Sequence, residues 1–502
     1  MKLKTIILNL IISVCLLFVC CIQTVDLNFK YDLDNIDFNA KSCDIVSERD
    51  LTKNNVQLES DIEYEVGTKH FFVEQYINND ELEFFLVTIG ENCVVWVQYE
   101  IWYDNYLSET DYELIKEHTD SIYQKMTTAI YPHSQTWGDV DNDGKINILL
   151  CDLNKGDIKG YYQKNDLLDV AGSNNLDIIY IDLSYETAQV NLKTDSGKEL
   201  WATIAHEFQH MLSDIACEGS TNELWLNESL SALSSYLYSN DSHYIDTSYF
   251  QYSLSDYGTN EGFLFKRLGV NRGKEYLMTT LFGIYLYKNY GENVLNQIYK
   301  EYEKNIYGQA AVENILNEKF DDFKSLFLSF ILATVCDINL DDKTSLLYSE
   351  PIVFNEKSYN SFYELKLESG ILNSSIKNLE TATYTESKWS EKLFYYEKEF
   401  FSKAGDVKIN SNADYIFYSV EQQPLKLQRT NEFNMHNSSD VVVLLINCEN
   451  NELSYEINLY KDTYVVRTVF ISIGAVILGC SVIIGVIYIL KNKRDKKNEV
   501  VE

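Results

Sequence analysis

Thr203-Ile204-Ala205-His206-Glu207-Phe208-Gln209-His210-Met211-Leu212 decides the reading of this chain. The stretch is apolar and helical in character. On a helix, residues four apart lie about 40° apart around the axis and one turn along it, so both imidazoles can face one metal ion. Glu207 projects beside them, close enough to bond a water on that metal without ligating it. Neutral imidazoles suit Zn2+, and a free carboxylate can take the proton of a water that zinc has acidified. The bland alternative is a surface helix carrying two unrelated histidines, in a chain that has seven.

Catalytic zinc keeps three protein ligands and leaves one position open, so a third ligand is the natural test. Downstream lies Ser220-Thr221-Asn222-Glu223-Leu224-Trp225-Leu226-Asn227-Glu228-Ser229. Ser220 with Glu223 has capping-box spacing, which predicts a second helix starting there. Glu228 would sit about two turns into it, 18 positions after His210. That separation suits a helix-turn-helix pair whose second helix lowers one carboxylate onto the metal. Glu223 competes for the role, but capping explains it without a metal.

His206-Glu207-Phe208-Gln209-His210 followed by Trp225-Leu226-Asn227-Glu228 resembles the hyicolysin-type family of secreted bacterial zinc metallopeptidases. That family looks like the gluzincins, whose third ligand is a glutamate on the following helix. Residues 90–97, 137–150 and 173–182 are similar to its early strand pair, its Asp-rich turn with strand, and its strand before the active-site helix. The resemblance spans roughly residues 65 to 340. It implies that His206, His210 and Glu228 are zinc ligands and that Glu207 is the catalytic base.

Composition excludes some classes. With 42 basic and 76 acidic side chains the formal charge is −34, a field that would repel nucleic acid. Hydrophobic residues make up 45% and aromatics are plentiful, so the chain is not a disordered one. Lys2 and Lys4 precede an uncharged run from Thr5 to Ile22, which predicts a signal peptide over residues 1–22. From Thr468 to Leu490 run 23 uncharged residues, long enough to span a bilayer. Lys491, Lys493, Arg494, Lys496 and Lys497 follow, which predicts a cytoplasmic tail over 491–502 and an extracellular main body. Cys43, Cys93, Cys151, Cys217, Cys336 and Cys448 lie outside the two hydrophobic ends and allow up to three disulfides.

In order, residues 23–64 read as a loose stalk or pro-segment, 65–345 as a zincin-like α+β peptidase domain, and 346–463 as a small β-rich domain. Leu82–Ile89 and Cys93–Val97 predict a hairpin about Gly90-Glu91-Asn92, and 109–131 an amphipathic helix. Asp139, Asp141, Asp143 and Gly144 have the opening spacing of a calcium loop, but Leu150 stands where a bidentate Glu belongs. A tight Asx-rich turn feeding a strand is the simpler reading. Two β-runs, 146–151 and 177–183, precede the HExxH helix, and a sheet edge beside such a helix can pair with an extended substrate. After Glu228 the chain reads as helical to about 337, including 229–238, 274–290 and 320–335. Farther on, 441–446 and 454–459 read as strands paired across Asn450-Asn451-Glu452, in a sandwich-like domain.

The expectation is a membrane-anchored extracellular zinc endopeptidase acting on protein or peptide substrates, with Glu207 as general base. The rival is a non-catalytic surface adhesin or pseudo-protease of the same fold. Binding alone would not require Glu207, so the intact His, Glu, His, Glu set favours the enzyme. No Gly-x-Met-Glu-Asn segment of the aminopeptidase kind occurs, which favours endo- over exopeptidase action.

Overall fold

Alternation and continuity of apolar residues decide the sheet. Cys93–Gln98 (CVVWVQ) and Ile146–Cys151 (INILLC) are buried at every position, the mark of strands covered on both faces. The computed structural model describes residues 64–74, 80–130, 139–153 (save 142), 159–183, 195–217, 223–239, 272–318 (save 292) and 320–336. Beyond these it describes the strands between 352 and 461, with Cys448. The first part holds a mixed six-stranded sheet. Its strands are β1 (Lys69–Glu74), β2 (Asp80–Ile89), β3 (Cys93–Gln98), β4 (Ile146–Cys151), β5 (Gly160–Tyr162) and β6 (Ile178–Asp182), in spatial order β1-β2-β3-β4-β6-β5.

β1, β2 and β3 form an antiparallel meander, with Phe85 opposite Val97 across the predicted hairpin. β3, β4 and β6 run parallel, and β5 closes the sheet as an antiparallel edge strand. Parallel neighbours need a crossover. The first runs through α2 (Glu109–Ile130), which follows the short α1 (Tyr99–Tyr103). α2 buries Ile115, Ile122, Met126 and Ile130 against the sheet, at helical spacing. Alternate residues of one strand feed two apolar cores. Val95, Ile148, Leu150, Ile179 and Ile181 join the helices, while Trp96, Leu149, Ile178 and Tyr180 pack with Phe72 and Phe84 on the other face.

Helices follow: α3 (Asp195–Ala216), α4 (Leu224–Tyr238), α5 (Arg272–Tyr290), α6 (Val294–Tyr302), α7 (Gly308–Leu316) and α8 (Phe323–Cys336). Among them α4 is buried continuously from Trp225 to Tyr236. A helix without a solvent face must satisfy its polar side chains internally. Ser229 Oγ bonds the carbonyl of Thr279 on α5, and Ser235 Oγ donates to the carbonyl of Ala202 on α3 at 2.7 Å.

Two expectations need correction. The Glu228 helix begins at Leu224, with Glu223 in the extended N-cap position and no side-chain cap hydrogen bond. Glu223 is no capping-box partner inside the first turn. Its carboxylate accepts from Trp225 Nε1 and packs on Gly308, so Glu228 lies just over one turn into the helix. The strands at 441–447 and 453–461 are not paired with each other either. They sit in separate four-stranded antiparallel sheets, each between strands from earlier in the chain. Val441–Asn447 lies between Ser390–Tyr396 and Tyr415–Ser419. Leu453–Lys461 lies between Ala404–Ser411 and Ala382–Glu386. Two short adjacent runs read locally as a hairpin, whereas each pairs with strands distant in sequence.

Cys93 and Cys151 are buried thiols, so three disulfides are not reached. Among the described residues no helix is long and apolar enough to cross a membrane. The predicted signal peptide, the predicted stalk up to residue 63 and the segment 468–502 lie outside the described residues.

Candidate metal centre

α3 is built so that one stripe holds it down and an adjacent one carries chemistry. Ile204, Ala205, Phe208, Met211 and Leu212 are buried in the helical core, and the Phe208 ring stacks on Tyr123 of α2 at 5.5 Å. His206 and His210 lie one turn apart on the neighbouring face, with ring centroids 4.8 Å apart and planes at 77°. α4 crosses against this face and presents Glu228. Its Oε2 lies 3.3 Å from His206 Nε2 and 3.7 Å from His210 Nε2. The three predicted ligands thus converge, with their donor atoms within 4.8 Å of one another.

Glu228 is 2% exposed, and its Oε2 has no hydrogen-bond partner. An unpartnered carboxylate oxygen in a dry site is costly unless a cation meets it. Burial pushes the Glu228 carboxyl up, but the two facing imidazoles outweigh it and hold the group well below the usual carboxylate range. Burial pushes the His210 imidazole down, yet the Glu228 carboxylate overrides it and raises the group to about 9. Two imidazole nitrogens and one carboxylate oxygen are the donor set of a catalytic zinc site with one open position.

A hydrogen-bonded chain orients His210. Ser231 Oγ donates to Gln209 Oε1, and Gln209 Nε2 donates to Tyr299 Oη at 2.8 Å. With its proton so used, Ser231 must accept from His210 Nδ1–H, 3.1 Å away, which leaves Nε2 facing Glu228. Ser231 escaped the sequence reading. Its signal was present, since it sits three residues after Glu228 on the same face of α4.

Glu207, beside His206, is 5% exposed. Burial raises its pKa against the pull of both histidines. The backbone of Tyr162, on edge strand β5, opposes the rise by hydrogen bonding. β5 thus runs against the active-site helix. At Gly160 an added Cβ would come within 2.7 Å of Thr203 Cγ2 and 2.8 Å of the Tyr180 carbonyl, so only glycine allows the approach. The second acidic group predicted from sequence is rearranged. Asp139 and Asp141 come together with Asp177, while Asp143 turns one oxygen to the Lys145 backbone N–H at 2.7 Å.

Over 161 residues the chain is 30% identical to the neutral metalloprotease ShpI of Staphylococcus hyicus. The aligned part is 30% of this chain and 34% of that protein, so the chain spans about a third of that relative's length. No family model matches the chain. The protein is thus similar in part to a metalloprotease, and it holds a His-His-Glu cluster compatible with a metal ion.

Proposed function

We propose that the protein is a zinc-dependent endopeptidase of the hyicolysin-like kind. The convergence of His206, His210 and Glu228 around an unpartnered buried oxygen carries this reading. The partial likeness to a neutral metalloprotease supports it. His206, His210 and Glu228 would hold the ion. When bound, zinc supplies Lewis acidity, which acidifies water and polarises a carbonyl.

The chain's own residues supply the rest. Glu207 is the base that removes the proton of the attacking water, and it carries that proton to the leaving amine. Its burial raises the basicity of its carboxylate, which suits both transfers. Ser231 and Gln209 keep His210 in one tautomer. β5, an edge strand packed on the active-site helix, offers main-chain groups to an extended peptide; such pairing gives affinity with little demand on side-chain sequence. The apolar run 468–490 with its basic flank would tether the enzyme to the cell membrane with its catalytic part outside.

The test is cleavage of an unfolded protein by the purified chain and by Glu207→Ala, with zinc measured in both. The expected result is a loss of rate of at least about 100-fold in the variant, with zinc retained. Zinc bound by both and cleavage by neither would favour a binding protein of this fold. Absence of zinc from both proteins would sink the proposal.

A further inference from the structure

The acidic loop ahead of β4 is not absorbed by the zinc chemistry. Its backbone is folded around its own side chains. Asp139 Oδ2 accepts from Gly144 N–H at 2.9 Å, and Asp139 Oδ1 accepts from Asp143 N–H at 3.1 Å. Gly144 has φ +76°, a conformation that favours glycine. Such a turn would by itself be only a turn. The deciding observation comes from a different part of the chain.

Asp177, the residue before β6, is 0% exposed, and both its carboxylate oxygens are without a hydrogen-bond partner. Its carboxylate lies with those of Asp139 and Asp141, donor atoms within 4.8 Å of each other. Asp143 Oδ2 is also buried and unpartnered. The loop's own lysine does not neutralise them: Lys145 Nζ donates to the carbonyls of Gly90 at 3.2 Å and Glu91 at 2.6 Å. From outside the loop, the hydroxyl of Tyr64 donates to Asp141 Oδ2 at 3.0 Å. A buried carboxylate with two unsatisfied oxygens, faced by further carboxylates, lacks a cation.

We propose that Asp139, Asp141 and Asp177 form a structural calcium site, separate from the zinc centre, that clamps the loop 139–145 to the start of β6. Carboxylate oxygens alone, with neither nitrogen nor sulfur, select a hard cation. Asp177 takes the place of the missing bidentate acid at Leu150. The carboxylate arrives from the next parallel strand, where Asn147 N–H already donates to the Asp177 carbonyl at 2.8 Å. The ion would thus fasten the entries of β4 and β6 to each other. The rest of its shell would come from backbone carbonyls and water, which fits a cation that takes six to eight oxygens.

The full chain is stripped with EDTA, reloaded with zinc, and titrated with CaCl2 by calorimetry, with melting curves at each end point. The wild type is expected to take up one Ca2+ and to melt higher. Asp177→Asn should lose affinity for Ca2+ by at least about tenfold, and without calcium it should melt no lower than the wild type, because a buried uncompensated charge is gone. Should that variant fail to fold, Asp141→Asn on the partly exposed loop decides, and it too must lose affinity. His206→Ala, which breaks the other cluster, must keep the calcium response. No uptake by the wild type, unchanged uptake in the aspartate variants, loss of the response in His206→Ala, or an equal response to Mg2+ would each overturn the assignment.

Discussion

Ser231 shows how much a single hydroxyl decides at this centre. It spends its proton on Gln209 and accepts from His210, so one side chain sets which imidazole nitrogen would face a metal ion. Ser231→Ala should therefore weaken zinc binding about 10- to 100-fold, as lost outer-shell partners do. Competition with a chelator measures this directly. The rise in melting temperature on adding zinc should shrink as well, an effect distinct from any change in the metal-free melt. An unchanged zinc affinity would show that Ser231 only fills space. A second residue-scale case is Asp166, buried in the turn before β6. Tyr180 Oη donates to it at 2.8 Å, and Asn174 donates from its backbone at 3.0 Å and its side chain at 2.9 Å. Burial raises its pKa to about 6 from 3.8, and these hydrogen bonds only partly offset the rise. A carboxyl raised on folding binds its proton more tightly in the folded state. Its stabilising contribution is therefore full below pH 3.8 and is lost as pH rises through about 6. The stability difference between wild type and Asp166→Asn should shift by roughly 2 kcal/mol between pH 4 and pH 7, with the wild type relatively favoured at pH 4. Urea melts at the two pH values measure it, and a pH-independent difference would refute it.

At the scale of elements, α4 places Glu228 only because a neighbouring helix lets it come close. Gly283 of α5 lies against it, where an added Cβ would fall 2.4 Å from the Ser229 carbonyl, a backbone atom that cannot swing aside. Gly283→Ala should cost about 1–3 kcal/mol in urea unfolding, the usual penalty of overpacking. Because Ser229 adjoins Glu228, zinc affinity should fall with it; a destabilised variant with wild-type zinc affinity would separate the two. This dependence on neighbours also marks where the sequence was legible. The HExxH helix, its apolar stripe, α2 and the strands at 146–151 and 178–182 follow local periodicity, and local periodicity is written in consecutive residues. The start of α4 was misread because the Glu223 side chain, besides meeting the nearby Trp225 indole, packs on Gly308, distant in sequence. The strands at 441–447 and 453–461 look like a hairpin until partners from 382–419 claim each of them. Asp177 could not be joined to Asp139 and Asp141 before the parallel pairing of β4 with β6 was known. In each case the missing information was tertiary.

At the scale of the whole molecule, the two hydrophobic ends decide where the proposed peptidase would work. The chain carries −34 formal charges, yet five of its basic residues crowd into 491–497, directly after 23 uncharged ones. The proposed membrane anchor with a cytoplasmic basic flank would account for that placement. The two hydrophobic ends make distinguishable predictions. If 468–490 is the anchor, the full chain fractionates with membranes, and ending the chain at residue 463 releases it into the medium with its zinc content unchanged. If Thr5–Ile22 stays as an uncleaved anchor, the truncated chain remains in the membrane pellet and its N-terminal sequence begins before residue 23. Protease added to intact cells gives the orientation, because an extracellular body is digested while a tag after residue 502 survives. Survival of the body with loss of the tag would invert the topology, and an endopeptidase facing inward would need a different class of substrate.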